Sequence, residues 1–240
     1  MKLIPKWFMR LYISIKNRTK SPEEIFTEIY NNNLWGISPD GRQYCSGFGT
    51  IDPNIEKYIE ILRNFISEFE IKSVFEIGCG DFTIMKSILS QTDIKYIGSD
   101  IVKSLIDHLT DSYGDENVRF IPMDAITSEK YPVADLCIIR QVLQHLSNAQ
   151  ISEIIRKTKK YKFVIITEHV PLYPKKKNDD KITSGYIRLQ NHNTSGVYLD
   201  ATPFSLNCKK LLSYQQDDKD YYGNRIPAVM LTSLIENNTN

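Results

Sequence analysis

Glycine and acidic residues follow two short apolar runs, and residues of these types at strand ends can bind a small ligand. The first run, residues 73–77, leads directly into Gly78 and Gly80, and the second ends in Asp100. Glycines at a strand-to-helix turn let the backbone approach a ligand, and a carboxylate that ends the next strand can accept both hydroxyls of a ribose. A Gly-x-Gly pair alone also occurs in turns that bind nothing, but its combination with Asp100 favours a nucleoside cofactor.

The residues around this turn distinguish between classes of nucleotide. A dinucleotide fingerprint has a third glycine three residues after the second, where this chain has Thr83. Glu76 and Asp81 would repel a pyrophosphate, whereas they would attract the sulfonium and amino groups of S-adenosylmethionine (SAM). The sequence therefore predicts SAM as the cofactor. An NAD-dependent oxidoreductase stays as an alternative, which tight NADH binding would favour.

Two histidines near predicted strand ends are candidates for moving a proton. Methyl transfer from a sulfonium is an in-line displacement, so the enzyme mainly aligns the acceptor and removes its proton where that is needed. His145 follows the fourth predicted strand, and we predict it as the general base. Its alternative role is to cap the next helix or pack under the sheet. His169 follows the fifth predicted strand, on the substrate side.

The elements that must position these residues alternate between strand and helix patterns. Helical spacing begins after Asp52-Pro53, which reads as an N-cap followed by proline in the first turn. Alternation of this kind predicts βαβ units and a parallel sheet, and the last two strands are spaced as an antiparallel hairpin. Residues 170–206 have no sustained period and are predicted as a substrate-side insertion. The predicted strands are residues 73–77, 94–100, 118–124, 134–140, 162–167, 209–214 and 225–234.

Four segments together resemble the motifs of class I SAM-dependent methyltransferases. They are VFEIGCGD at 74–81, YIGSD at 96–100, Met123-Asp124-Ala125, and ADLCIIRQVLQHLS at 134–147. The resemblance implies an α/β, Rossmann-like seven-stranded mixed sheet with helices on both faces and a C-terminal antiparallel hairpin. It also implies that Ile101 lies beside Asp100 at the cofactor, that Asp124 and Ala125 border the adenine, and that Arg140 lies near the methionine carboxylate.

The flanking segments are similar to a little-characterised bacterial group that methylates small molecules or glycans. Residues 33–36 (NLWG) and 46–50 (SGFGT) resemble its "LWG…SGxGS" pattern, which implies that Trp35 and Gly47 lie over the cofactor. Its Gly-Asp-Trp-Arg element is matched only in part, by residues 185–188, and that element faces the substrate. Tyr44 and Arg188 come from the two irregular segments and His169 lies just past the fifth predicted strand, so we predict these three residues on the substrate side. The expected division is an N-terminal covering segment, 1–52, and a SAM-binding domain, 53–240.

Composition limits the remaining function classes. The 240 residues are 41% hydrophobic and 25% charged with a net charge of +1, which is typical of a globular protein and gives no basis for nucleic-acid binding. Four cysteines lack metal-like spacing, so no metal is predicted. Basic residues interrupt every apolar run in residues 1–20, which argues against a secretory signal or a membrane span and for a cytoplasmic location. That segment could contact an anionic membrane surface or pack on the protein itself or a second subunit.

These observations predict a methyltransferase acting on a small polar acceptor. We expect O-methylation, of a sugar nucleotide or a cell-surface glycan precursor, because the chain lacks the motifs of enzymes that methylate nucleic-acid amino groups. The alternative outside the enzyme class is a catalytically silent SAM-binding partner of an active subunit. The sequence leaves the oligomeric state open.

Overall fold

A seven-stranded mixed β-sheet forms the centre of the protein in a computed structural model that describes residues 17–50, 52–181, 185–220 and 222–238. The strand order is β3-β2-β1-β4-β5-β9-β6, in which β1 to β5 are parallel and β9 is antiparallel to both β5 and β6. The predicted fold and its C-terminal antiparallel pairing are thus confirmed. The strands are β1 (Ser73–Ile77), β2 (Lys95–Asp100), β3 (Val118–Pro122), β4 (Leu136–Arg140), β5 (Phe163–Pro171), β6 (Lys209–Gln215), β7 (Asp218–Lys219), β8 (Arg225–Ile226) and β9 (Ala228–Glu236).

Helices cover both faces of the sheet, because successive strand residues point to opposite sides. On β4, Leu136 and Ile138 pack into one apolar cluster while Cys137 and Ile139 pack into the other. The first cluster contains the inner faces of α2, α3 and α4, and the second contains that of α5. The helices are α1 (Pro22–Asn31), α2 (Ile55–Glu68), α3 (Thr83–Leu89), α4 (Lys103–Tyr113) and α5 (Asn148–Thr158).

Several predicted element boundaries differ from those observed. Helix α2 begins at Ile55 with Asn54 as its N-cap, so the predicted cap at Asp52 is wrong. The Asp52 carboxylate instead accepts a hydrogen bond from the Asn54 N–H at 2.6 Å, in the turn before the helix. Strand β5 continues to Pro171, beyond the predicted end, because its last residues pair with β9. Helix α5 begins with a capping box formed by Ser147 and Gln150.

The segment between β5 and β6 contains no strand among its described residues, and side-chain bonds to the backbone hold it together. Asn178 donates to the carbonyls of Tyr198 and Thr202 and accepts from the Tyr198 N–H, all within 2.9 Å. The small β7–β8 hairpin follows β6 and brings Asp218 back toward the end of β5. This segment and the hairpin therefore form one side of the cavity described below.

No described helix has the length and apolar character needed to cross a membrane. The membrane contact considered for residues 1–20 falls mainly on residues 1–16, which lie outside the described part of the chain.

Candidate active site

A cavity of about 960 Å³ lies at the carboxyl ends of the parallel strands. It extends across the junction of β1 and β4, where the strand order changes direction and where open α/β sheets bind their ligands. The cavity is lined by the predicted cofactor residues and by the two histidines predicted as site residues. The predicted residues that line it are Trp35, Gly47, Glu76, Gly78, Gly80, Asp100, Ile101, Asp124, Ala125, Arg140, His145 and His169.

Glycine is required at the turn after β1 because there is no room for a side chain. Gly78 has a φ of +71°, and a Cβ atom there would lie 2.3 Å from the Val142 side chain. Gly80 has a φ of +55°, and its Cβ would lie 2.4 Å from the Ser46 hydroxyl oxygen. Left-handed φ values of this kind favour glycine. The turn thus forms a backbone cradle at one end of the cavity.

Asp100 places a half-buried carboxylate beside this cradle. One oxygen accepts from the Gly80 N–H at 3.3 Å and the other from the Val102 N–H at 3.0 Å. Burial raises the pKa of Asp100 above its usual value. Each carboxylate oxygen has a second lone pair, so this side chain can still accept two hydroxyl groups from a ligand.

Glu76 places a second carboxyl group in the cavity wall, and this one is buried. It accepts a hydrogen bond from the Tyr96 hydroxyl. Burial raises the pKa of Glu76 to about 8, and the negative charges of Asp100 and Asp81 act in the same direction. A positively charged ligand group beside Glu76 would favour the ionised carboxylate, so this position suits a cation.

The segment after β3 forms the next part of the wall. Asp124 accepts from the Ile126 N–H at 2.8 Å and from the Thr127 hydroxyl at 2.9 Å. These bonds fix the turn that presents Ala125 and Ile126 to the cavity. The predicted adenine border is therefore a turn held by Asp124, with apolar side chains beside it.

The N-terminal segment is bonded directly to the glycine turn, through a pair of residues that sequence reasoning did not identify. The Ser46 N–H donates to the Asp81 carboxylate at 2.8 Å, and the Asp81 N–H donates to the Ser46 hydroxyl at 2.7 Å. Trp35 packs against the rings of Tyr30 and His145, with centroids 5.1 and 5.7 Å apart. Asp81 was noted only for its charge, and nothing in its spacing pointed to Ser46.

Arg140 joins the end of β4 to the same N-terminal segment. Its guanidinium donates to the Gly49 carbonyl and to the Gln141 side chain, each at 2.8 Å, and lies 5.0 Å from the centre of the Tyr58 ring. It lines the cavity, as predicted, and it also holds residues 48–50 against the sheet.

His145 lies in a short 3-10 turn after β4 and is almost completely buried. Its Nδ1 atom lies 2.7 Å from the Gly185 carbonyl oxygen, and since a carbonyl can only accept, Nδ1 carries the proton. Burial, together with the positive charge of Lys181, lowers the pKa of His145 to about 3. The ring is therefore neutral at pH 7 and a weak proton acceptor, which differs from the well-matched pKa that we expected of a general base.

His169 lies at the end of the cavity away from the glycine turn. Its Nε2 atom is 2.6 Å from the Gln216 carbonyl oxygen, and its Nδ1 atom is 3.6 Å from a carboxylate oxygen of Asp218. Asp218 was not predicted as a site residue. It comes from the two-residue strand β7, which is too short to give a sequence signal.

Two predicted substrate residues, Tyr44 and Arg188, lie outside the cavity lining. The ring of Tyr44 packs between those of Tyr30 and His108. Arg188 is 0% exposed, and its guanidinium donates to the Leu146 and Asp179 carbonyls and to the Asn148 side chain. These bonds fasten the β5–β6 segment to the start of α5, which is a structural role.

Comparison with known proteins identifies the architecture. No family model matches the chain, and no curated protein matches its sequence. Among solved structures, the N-methyltransferase NodS from Bradyrhizobium japonicum WM9, in complex with S-adenosyl-L-homocysteine (SAH), superposes with a TM-score of 0.54. The two chains are 13% identical over 76% of this chain and 86% of NodS.

Two further structures give similar values. TehB from Haemophilus influenzae has a TM-score of 0.52 at 15% identity, over 78% of this chain and 67% of TehB. The methyltransferase domain of bacterial CtHen1 has a TM-score of 0.51 at 12% identity, over 76% of this chain and all of that domain (100%). The fold is that of the class I methyltransferases. At these identities the likeness establishes the fold and leaves the activity to be argued from the site.

Proposed function

We propose that this protein is a SAM-dependent methyltransferase that acts on a small polar acceptor. The observation that carries the proposal is a pair of carboxyl groups, the buried Glu76 and the half-buried Asp100, beside a glycine cradle in a methyltransferase fold. A sulfonium and an ammonium group suit Glu76, and ribose hydroxyls suit Asp100. The bound SAH of NodS, a protein of the same fold, supports this assignment.

The proposed cofactor contacts divide along the cavity. Asp100 would accept the ribose hydroxyls, while Ile101, Asp124 and Ala125 would border the adenine. Glu76 and Arg140 would hold the ammonium and carboxylate groups of the methionine part. The sulfonium of SAM supplies the methyl group, and the protein aligns the acceptor with it and takes up the acceptor's proton.

We further propose that the N-terminal segment covers the cofactor, as the division at residue 52 implies. Trp35 and Gly47 line the cavity, and the reciprocal bonds of Ser46 and Asp81 support a fixed position for this cover. A cavity of about 960 Å³ is at the upper end of the usual range for small-molecule sites, so it has room for a cofactor and a small acceptor.

O-methylation of a sugar nucleotide or a cell-surface glycan precursor is the reaction that we propose. The test is to incubate the protein with methyl-labelled SAM and a library of sugars, nucleotide sugars and related metabolites, and to identify labelled products by mass spectrometry. Asp100→Asn should reduce product formation at least about tenfold when SAM is near its wild-type Kd. Asp107→Asn, on the exposed face of α4, should leave it unchanged.

Two outcomes would contradict the proposal. Tight binding of NADH without binding of SAM would favour the oxidoreductase alternative. Binding of SAM without any transfer, together with co-purification of a second methyltransferase chain, would favour the silent partner subunit.

A further inference from the structure

His169 has a defined tautomer because of its contact with the backbone. Its Nε2 atom lies 2.6 Å from the Gln216 carbonyl oxygen, and a carbonyl oxygen can only accept a hydrogen bond. In the neutral ring the proton is therefore on Nε2. The Nδ1 atom then carries a lone pair.

That lone pair faces a second hydrogen-bond acceptor. A carboxylate oxygen of Asp218 lies 3.6 Å from Nδ1, while the other oxygen accepts from the Lys219 N–H at 2.6 Å. No described residue places a donor between Nδ1 and Asp218. Two acceptors in this arrangement are satisfied either by a proton on Nδ1 or by a ligand that brings a donor group. Both side chains line the cavity, and that of Asp218 is 25% exposed.

The charges at this end of the cavity are acidic. Its charged side chains are Asp217 and Asp218, and Asp217 is paired with Arg225 at 2.8 Å. The cationic side chain among the described lining residues, Arg140, already donates to Gly49 and Gln141 and is the group proposed above to hold the cofactor carboxylate. A phosphate or carboxylate group beside Asp218 would thus meet like charge without a free cation to offset it.

The other histidine of the cavity is less suited to proton transfer. His145 is enclosed by the rings of Phe26 and Trp35, and its Nδ1 proton is committed to the Gly185 carbonyl. No described carboxylate makes a hydrogen bond or ion pair with it that could stabilise an imidazolium. His169 differs because Asp218 lies beside the nitrogen that would receive the proton.

We propose that His169 and Asp218 form an acceptor subsite that binds an uncharged hydroxyl group and receives its proton. This inference rests on the proposed function and narrows it, because the part of the acceptor inside the cavity would carry no phosphate. The hydroxyl proton passes to Nδ1 of His169 as the oxygen forms a bond to the methyl carbon. The carbon–sulfur bond breaks with its electron pair left on sulfur, which becomes a neutral thioether. Asp218 stabilises the imidazolium, which later returns its proton to solvent.

The first test needs no acceptor. The chain has four histidines, so ¹⁵N NMR of the rings in the SAH-bound protein can be assigned with single His→Gln variants. We expect the neutral Nε2–H tautomer for His169 and the Nδ1–H tautomer for His145. An Nδ1–H tautomer at His169, or a ring protonated on both nitrogens at the pH of turnover, would overturn the subsite, whatever the acceptor is.

The second test measures methyl transfer to the acceptor found with labelled SAM. His169→Gln retains an amide N–H near the position of Nε2, and so the bond to Gln216, but removes the proton-accepting nitrogen. Turnover should fall about 10²–10⁴-fold while the Kd of SAH stays within about twofold. His145→Asn, which retains a donor near Nδ1, should reduce turnover by less than about tenfold. A larger loss of turnover in His145→Asn than in His169→Gln would overturn the assignment.

Two controls separate the parts of the proposal. Asp218→Asn should lower turnover with unchanged SAH affinity, and full turnover in this variant would remove Asp218 from the subsite. The acceptor should also be compared with a derivative that carries a phosphate ester on a neighbouring hydroxyl. We expect kcat/KM to be at least about tenfold higher for the uncharged acceptor, and a preference for the ester would overturn the charge argument. If the wild-type protein does not bind SAH, the proposed function itself is refuted.

Discussion

Glu76 couples cofactor binding to the release of a proton. Its pKa is raised to about 8 by burial, so the carboxyl group is about nine-tenths protonated at pH 7. A unit positive charge about 4 Å away is worth about 4 kcal/mol at an effective dielectric constant of about 20, which is equivalent to about three pKa units. Such a charge would lower the pKa of Glu76 to about 5. Binding of SAM at pH 7 should therefore release close to one proton, about 0.9.

The same linkage makes affinity depend on pH in a defined direction. The folded protein binds the proton more tightly than the complex does, so the affinity for SAM should rise with pH. Between pH 6 and pH 8 the ionised fraction of Glu76 grows from about 1% to about 50%, which predicts an increase in affinity of about 50-fold. Glu76→Gln keeps an acceptor for the Tyr96 hydroxyl but cannot ionise, so its affinity should be lower and nearly independent of pH over this range.

Titration calorimetry in buffers of different ionisation enthalpy measures the released proton directly. The slope of observed enthalpy against buffer enthalpy should be close to one proton for the wild type and close to zero for Glu76→Gln. Tight binding by the wild type without proton release at pH 7 would refute the reasoning. Equal release by the variant would assign the proton to another group.

Three further predictions concern stability and the glycine turn. The folded-state pKa of His145 is lowered to about 3, so its contribution to stability is present above the unfolded value of about 6.5 and is lost as the pH falls. Urea titrations at pH 7 and pH 4.5 should show a loss of stability about 2.5 kcal/mol larger in the wild type than in His145→Asn. Equal losses would argue against a buried neutral ring. Arg188→Met should lower the free energy of unfolding by about 3–5 kcal/mol because one buried and two half-buried acceptors lose their donor. An unchanged thermal midpoint would contradict this. Gly78→Ala should weaken SAH binding and stability through both its φ and the contact with Val142, and Val142→Ala should restore only part of the loss; full recovery would show that φ carries no cost.

The parts of the site at strand ends could be predicted from sequence. Apolar runs identify β1 to β5, and in a parallel sheet their carboxyl ends lie at one edge. For this reason Gly78, Asp100 and His169 were expected at one edge, while the resemblance to class I methyltransferases implied Asp124 and Arg140. All five residues line the cavity.

The parts contributed by irregular segments could not be predicted in the same way. Tyr44 and Arg188 were chosen by residue type, but the structure buries both in contacts outside the cavity. Asp218 reaches His169 from 49 residues further along the chain, through a hairpin of two-residue strands. The bonds between Ser46 and Asp81 likewise join segments 35 residues apart. Contacts of this kind depend on loop conformation, for which the sequence has no periodic signal.

Protonation was the other property that residue types did not reveal. His145 was expected to have a pKa suited to general base catalysis, and burial between two aromatic rings gives the opposite. Glu76 was expected to act through its negative charge, but burial makes it mostly protonated at pH 7. Both differences arise from desolvation, which depends on how the N-terminal segment packs over the strand ends.

Calorimetric titration with SAH tests the central claim most directly, because it measures cofactor binding without any assumption about the acceptor. Three proteins are compared: the wild type, Asp100→Asn and the exposed control Asp107→Asn, each checked for its fold by thermal unfolding. We predict one SAH per chain for the wild type and the control. Asp100→Asn should bind about 10- to 150-fold more weakly, which corresponds to the loss of about 1.5–3 kcal/mol for hydrogen bonds to a charged group. A folded wild-type protein that binds neither SAH nor SAM, or an Asp100→Asn variant with unchanged affinity, would contradict the account.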